Sequence, residues 1–120
     1  MGALDGLVVL DLSRILAGPF CTQTLADLGA EVWKIEPPKG DDTRTWGPPF
    51  LQGPQGQTGQ GESAYYLSCN RGKKSVVVNL KDPRGAQIVR ELALKADVLV
   101  ENYKTGDLAR YGLDYESLSK

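Results

Sequence analysis

Five basic residues and two short turns hold most of the side chains in this sequence whose type and spacing could do chemistry. The basic residues are Lys73, Lys74, Lys81, Lys104 and Arg110. A lysine or arginine beside free backbone N–H groups makes a phosphate site, because charge-assisted hydrogen bonds outweigh neutral ones. Taken singly, each of these cations reads first as a solvated surface charge. Lys81 and Lys104 stand apart because both fall at the ends of predicted strands, and a helix predicted after Thr105 would present N–H groups beside Lys104. Gly18-Pro19 forms a tight turn into a helix, and Glu36 follows 18 residues after Gly18, where a dinucleotide fold would hold a ribose. Phe20, Cys21 and Thr22 stand where a Gly-x-Gly-x-x-Gly turn would need small residues, so an NAD site is the weaker reading and a helix-packing glycine the plainer one. Asp41-Asp42-Thr43-Arg44, with Trp46, is open to two readings: a cap-and-turn device with Arg44 paired to a neighbouring aspartate, or a segment beside a ligand.

Composition narrows the chemistry. There is no histidine, which removes Ser-His-Asp and Cys-His catalysis, the usual zinc sites and the commonest general base. Carboxylates, lysines and backbone dipoles remain. The 14 basic and 15 acidic side chains leave a net charge of -1, so no overall field favours nucleic acid or an anionic membrane. Cys21 and Cys69 are far apart with no Cys-x-x-Cys pattern, and read as half-buried thiols without disulfide or metal. No apolar run reaches the roughly 20 residues of a membrane span, and residues 1–6 hold no basic or apolar presequence.

These residues must be positioned by a small α/β unit, for which 120 residues at 41% hydrophobic are enough. Leu7-Val8-Val9-Leu10 predicts a strand buried on both faces, ending at Asp11 and Leu12. A helix from Pro19 to Leu28, stopped by Gly29, leads to a strand over Glu31 to Ile35, which makes a βαβ unit with parallel strands. Pro37 to Ser63, with Gln52, Gln55, Gln57 and Gln60 among glycines, predicts an exposed, partly disordered loop. Order returns at Tyr65-Tyr66-Leu67. After the basic turn Arg71-Gly72-Lys73-Lys74, a buried strand is predicted over Ser75 to Leu80. Asp82-Pro83 caps a helix whose stripe is Ile88, Val89, Leu92, Ala93 and Ala96. A strand over Val98-Leu99-Val100 follows, then a short helix from Gly106 to Tyr111 capped by Thr105 and stopped by Gly112, and the start of another helix over Asp114 to Lys120. The fold class is α/β: an open, mainly parallel, Rossmann-like sheet with helices on both faces. Ligands of such sheets sit beyond the carboxyl ends of the strands, here Asp11 to Pro19, Glu36 to Pro38, Asn79-Leu80-Lys81 and Asn102 to Thr105.

At these residues the sequence resembles the family III (CaiB/BaiF) CoA-transferases. The shared blocks are Leu4-Asp-Gly-Leu-Val-Val-Leu-Asp-Leu-Ser, Leu16-Ala-Gly-Pro, Leu28-Gly-Ala-Glu-Val-Trp-Lys-Ile-Glu, Gly40-Asp-Asp-Thr-Arg44, Asn70-Arg-Gly-Lys-Lys-Ser and Asp97-Val-Leu-Val-Glu-Asn-Tyr. Thr43 to Phe50 and Tyr65-Tyr-Leu-Ser look most like the succinate–hydroxymethylglutarate branch. The resemblance implies transfer of CoA from an acyl-CoA, succinyl-CoA for that branch, to a free carboxylic acid through an aspartyl-CoA intermediate, with no metal. It places CoA contacts on Leu16, Ala17, Val78, Asn79, Leu80, Lys81, Asn102, Tyr103, Lys104 and Arg110. Two positions depart from the pattern: Leu16 replaces a polar side chain of some members, and Pro37 an arginine, for which Lys39 is the nearest substitute.

The resemblance also implies that residues 1–120 are the N-terminal part of the large domain, and that the nucleophilic aspartate lies beyond Lys120. An active homodimer, acyl-CoA and carboxylic acid as substrates, and no nucleic-acid or membrane partner follow from it. Its compartment would be mitochondrial for a eukaryotic member of that branch and cytoplasmic otherwise. The competing reading is a truncated, non-catalytic fragment that binds CoA or a partner.

Overall fold

The structure is a computed structural model that describes residues 1–52 and 61–120. A four-stranded parallel sheet carries it. In chain order the strands are β1 (Val8–Asp11), β2 (Glu31–Glu36), β5 (Lys73–Val77) and β6 (Val98–Val100), and their spatial order is β5-β2-β1-β6. Two two-residue strands, β3 (Phe50–Leu51) and β4 (Glu62–Ser63), pair antiparallel beside it. The helices are α1 (Ala17–Asp27), α2 (Ala64–Cys69), α3 (Pro83–Lys95) and α4 (Tyr115–Leu118).

Strand periodicity splits β1 between two layers. Val9 packs with Val32, Ala30 and the α1 residues Leu25 and Ala26. Leu10 and Leu12 pack on the other face with Ile35, Val78 and Val89, backed by Leu92 and Ala93 of α3 and by Ala96 just after it. The open α/β sheet with a helix on each face is the predicted one. Its helices also stop as their glycines require: Gly29 (φ 110°) and Gly112 (φ 66°) adopt left-handed backbone that a side chain would strain. Asp82 caps α3 by accepting from the Arg84 N–H, with Pro83 as the first helical residue.

Four expectations about the elements change. Helix α1 starts at Ala17, so Pro19 sits inside its first turn, where its missing N–H has no intrahelical partner to lose. Strand β5 spans Lys73–Val77 rather than Ser75 to Leu80, and it is an edge strand, half exposed along its length. Lys73 and Lys74 therefore belong to the strand: the first reaches Asp11 and the second Glu31. Thr105 caps nothing; the turn over Leu108–Tyr111 is a 3-10 helix preceded by Asp107, without a side-chain cap.

The fourth change is the segment after Pro37. Its glycine- and glutamine-rich part, 53–60, lies outside the described residues. The rest is exposed over most of its length, as expected, but it is anchored: Asp41, Thr43 and Ser63 are buried, and Asp42–Thr45 form a 3-10 turn closed by the Asp41 carboxylate on the Thr43 N–H. Tyr65 to Leu67 lie in α2, whose Ser63 cap accepts from the Tyr66 N–H. The thiols are not half-buried either, Cys21 being exposed and Cys69 buried.

Candidate functional site

Strand β1 has β2 on one side and β6 on the other, so the chain's crossovers diverge at its carboxyl end, the place where open sheets bind ligands. Asp11 ends β1 there. It accepts from the Ser13 N–H (2.9 Å), the Thr22 hydroxyl (2.6 Å), the Ser13 hydroxyl and the Lys73 ammonium (3.2 Å), which fixes the turn Leu12 to Leu16 against α1. Gly18 completes the fit, since a Cβ there would lie 2.2 Å from the Ser13 Cβ. The glycine is a packing glycine, as its plainer reading held.

Within that turn Ile15 has φ 73°, a left-handed conformation that costs an isoleucine roughly 1–2 kcal/mol and persists only where surrounding contacts impose it. Two clips do so. Asn102, just beyond β6, accepts from the Arg14 N–H (3.0 Å) and donates to the Arg14 carbonyl (2.7 Å). Asp41 accepts from the Ile15 N–H (3.3 Å) and from Lys34 (3.0 Å), while Lys34 also donates to the Ser13 carbonyl (3.1 Å).

Lys34 and Asp41 are part of a charged layer beneath the site. Glu36 accepts from Arg44 through both carboxylate oxygens (2.8 and 2.7 Å), from the Asp41 N–H (2.8 Å) and from the Ser75 hydroxyl, and Arg44 stacks 3.9 Å from the Tyr66 ring centroid. Burial alone would push the Glu36 carboxyl up; Arg44, Ser75 and the Asp41 amide outweigh it and bring it down to about 2. Asp41 is lowered too, its burial outweighed by the Thr43 amide and Lys34. Burial pushes the Lys73 ammonium down, with Asp11 opposing. The Asp41–Arg44 segment is thus a cap and turn, but with Arg44 paired to Glu36 rather than to an aspartate. Glu36 is 1% exposed and is not available to a ribose, which removes the NAD reading.

Beyond the strand ends lies a cavity of about 170 Å³ lined by Arg14, Ile35, Pro37, Val78, Asn79, Leu80, Lys81, Tyr103 and Tyr111. It joins two of the expected groups, Val78 to Lys81 and Tyr103, from opposite edges of the sheet. Leu16 and Ala17 sit at the start of α1, two and three residues past Arg14, both exposed. Lys104 lines a neighbouring groove of about 590 Å³ under β6 and α4, which also holds Glu101 and Asp114. Those two carboxylates make the larger groove the poorer place for a phosphate, and the smaller cavity, with Arg14 and Lys81 on its wall, the better one. Arg110 is exposed, pairs with Asp107 at 3.2 Å and stands 5.8 Å from the ring centroid of Tyr111. Asn102 turns its amide to the Arg14 backbone.

Sequence reasoning did not single out Arg14, Lys34 or Tyr66. Arg14 lay inside the flagged strand-end segment and carried a charge, which was the available signal. A lysine between Trp33 and Ile35 in a buried strand was the signal for Lys34.

Residues 4–120 match the profile of CoA-transferase family III, and the chain belongs to that family. It is 56% identical over 121 residues to a succinyl-CoA:glutarate CoA-transferase of Mus musculus, covering 100% of this chain and 26% of the mouse protein. A succinate–glutarate CoA-transferase of Agrobacterium fabrum is 53% identical, over 96% of this chain and 28% of that one. Among solved structures, a CaiB/BaiF family protein from Brucella suis superposes with a TM-score of 0.89 at 53% identity, covering 98% of this chain and 30% of that chain. The chain thus spans between a quarter and a third of the length of these relatives.

Proposed function

We propose that the protein carrying this chain transfers CoA from an acyl-CoA to a free carboxylic acid, and that residues 1–120 supply the nucleotide-binding end of its site. The observation that carries this reading is the cavity at the divergence of the crossovers, where apolar walls, two tyrosines and the cations Arg14 and Lys81 meet. An adenine nucleotide needs this mixture: flat apolar surface for the base and positive charge for the phosphates. The names of the mouse and Agrobacterium relatives support succinyl-CoA as donor and a dicarboxylic acid such as glutarate as acceptor.

The chemistry in this reading is carboxylate nucleophilic catalysis. An aspartate beyond Lys120 attacks the thioester carbonyl and expels the CoA thiolate, giving a mixed anhydride. The thiolate returns to the aspartyl carbonyl, releases the first acid and leaves an aspartyl-CoA thioester. The acceptor carboxylate then attacks that thioester, and the thiolate takes the new acyl group from the second anhydride, freeing the aspartate. Neither histidine nor metal is required, and a homodimer is the working form. Residues 1–120 bind and orient the CoA nucleotide throughout.

The test uses the protein expressed from its complete reading frame, mixed with succinyl-CoA and glutarate. Transfer is expected there, and none is expected from residues 1–120 alone. Lys81→Ala, on the cavity wall, should weaken CoA by about tenfold to a hundredfold, the loss of one charge-assisted hydrogen bond, with Lys95→Ala as the unaffected control. Turnover by residues 1–120 that disappears on mutating one of their own aspartates would show the nucleophile to be misplaced.

A further inference from the structure

Six arginines fall within the described residues, and five of them are engaged. Arg44, Arg71, Arg84 and Arg110 pair with carboxylates, and Arg90 donates to Gln87 and to the Tyr111 carbonyl. Arg14 differs. Among the described residues its guanidinium has neither a carboxylate nor a hydrogen-bond acceptor, yet its backbone is fixed: Asn102 brackets its N–H and its carbonyl, and Ile15 beside it has left-handed backbone. The guanidinium lies 4.5 Å from the Tyr103 ring centroid and lines the cavity next to Lys81, whose ammonium has no partner among the described residues either.

An arginine that is stacked, aimed and unpaired on the wall of a cavity keeps its five planar donors for an oxyanion that arrives from outside. Resting on the nucleotide reading above, we propose that Arg14 is a phosphate-recognising residue of this site. Asn102 is the positioning residue that aims it, with Tyr103 as the platform. This reassigns Asn102: its amide oxygen and one of its two N–H donors are used on the Arg14 backbone, and its effect on the nucleotide is assigned to its hold on Arg14. It also makes Arg14 a binding residue, one that lay inside the flagged strand-end segment Asp11 to Pro19 without being picked out among the cations.

Calorimetric titration of the complete protein with CoA and with 3'-dephospho-CoA tests this. Arg14→Gln should weaken CoA by about tenfold to a hundredfold, and Arg14→Lys by less, because a single ammonium replaces the planar fork. If the loss is confined to CoA, Arg14 meets the 3'-phosphate; if it is equal for both ligands, Arg14 meets the diphosphate. Asn102→Ala should also weaken CoA, but in the Arg14→Gln background it should add less than about twofold, as expected of two residues acting as one unit. Asn102→Asp, which keeps the acceptor for the Arg14 N–H and loses the donor, is the second variant should the alanine not fold. Binding of both ligands by Arg14→Gln within about twofold of the unmutated protein overturns the assignment of Arg14. A full-sized Asn102 effect in the Arg14→Gln background overturns the positioning role. Failure of the unmutated protein to bind CoA sinks the nucleotide reading and this inference together, a result distinct from either.

Discussion

The two faces of the sheet are built from different chemistry. On the α3 side Leu10, Leu12, Ile35, Val78 and Val89 form an aliphatic layer. On the α1 side the strands alternate apolar with charged residues: Val9 is followed by Asp11 on β1, and Val32 by Lys34 and Glu36 on β2, with Asp11 beside Lys34 and Lys73 beside Val32 in register. Asp11, Lys34, Glu36 and Asp41 are each no more than 3% exposed. An aliphatic layer holds a helix against a sheet but has no preference for one loop conformation, because dispersion is non-directional. A buried ionic layer costs desolvation and is tolerated only when its members are fully paired. Here the pairing groups come from loops: Ser13 and Ile15 on one side, Asp41, Thr43 and Arg44 on the other. The charged face thereby fixes the turn that leads into α1 and carries Arg14 to the cavity, while the apolar face fixes the layers.

The largest expected effect probes the charged face. Lys73→Met leaves Asp11 buried without its cation, and should cost about 3–5 kcal/mol in chemical denaturation. On the apolar face Leu10→Ala removes a fully buried side chain and should cost about 2–5 kcal/mol, with the denaturant slope unchanged. If Lys73→Met costs less than about 1 kcal/mol, the charged layer is not tightly paired and the contrast between the faces fails. The smallest effect is in acid. The Glu36 carboxyl falls from 4.5 to about 2 on folding, so its contribution is complete above pH 4.5 and is lost as pH falls through about 2. Its full size is about 3 kcal/mol. Midpoints of denaturation compared at neutral pH and near pH 3 should show a loss that Glu36→Gln reduces; an unchanged acid slope in that variant would move the depressed carboxyl elsewhere.

Legibility followed the same division. The strands at Val8, Glu31 and Val98 and the helix beginning at Pro83 were readable because burial on a sheet imposes apolar runs, and helix ends require caps and glycines that can be recognised singly. The strand ends were likewise readable as the place for a ligand, since that follows from parallel topology alone. The shift of β5 onto Lys73 and Lys74 was not, because a lysine beside a turn reads as solvated until a buried Asp11 is brought to it from 62 residues away. The same holds for the burial of Asp41 and Thr43 in a turn whose polar sequence describes an exposed loop.

The amino-acid sequence by itself determined the order of the four parallel strands and of the helices after Gly18 and Asp82, the parallel α/β class, the lack of histidine in these 120 residues and the family, each a matter of local pattern or ordered blocks. Only the tertiary structure decided which charges are buried and with whom, that Glu36 serves Arg44 rather than a ribose, and that Asn102 holds Arg14. The physical reason is that a charge's role is set by its partners and its distance from water, and both are supplied by segments remote in sequence.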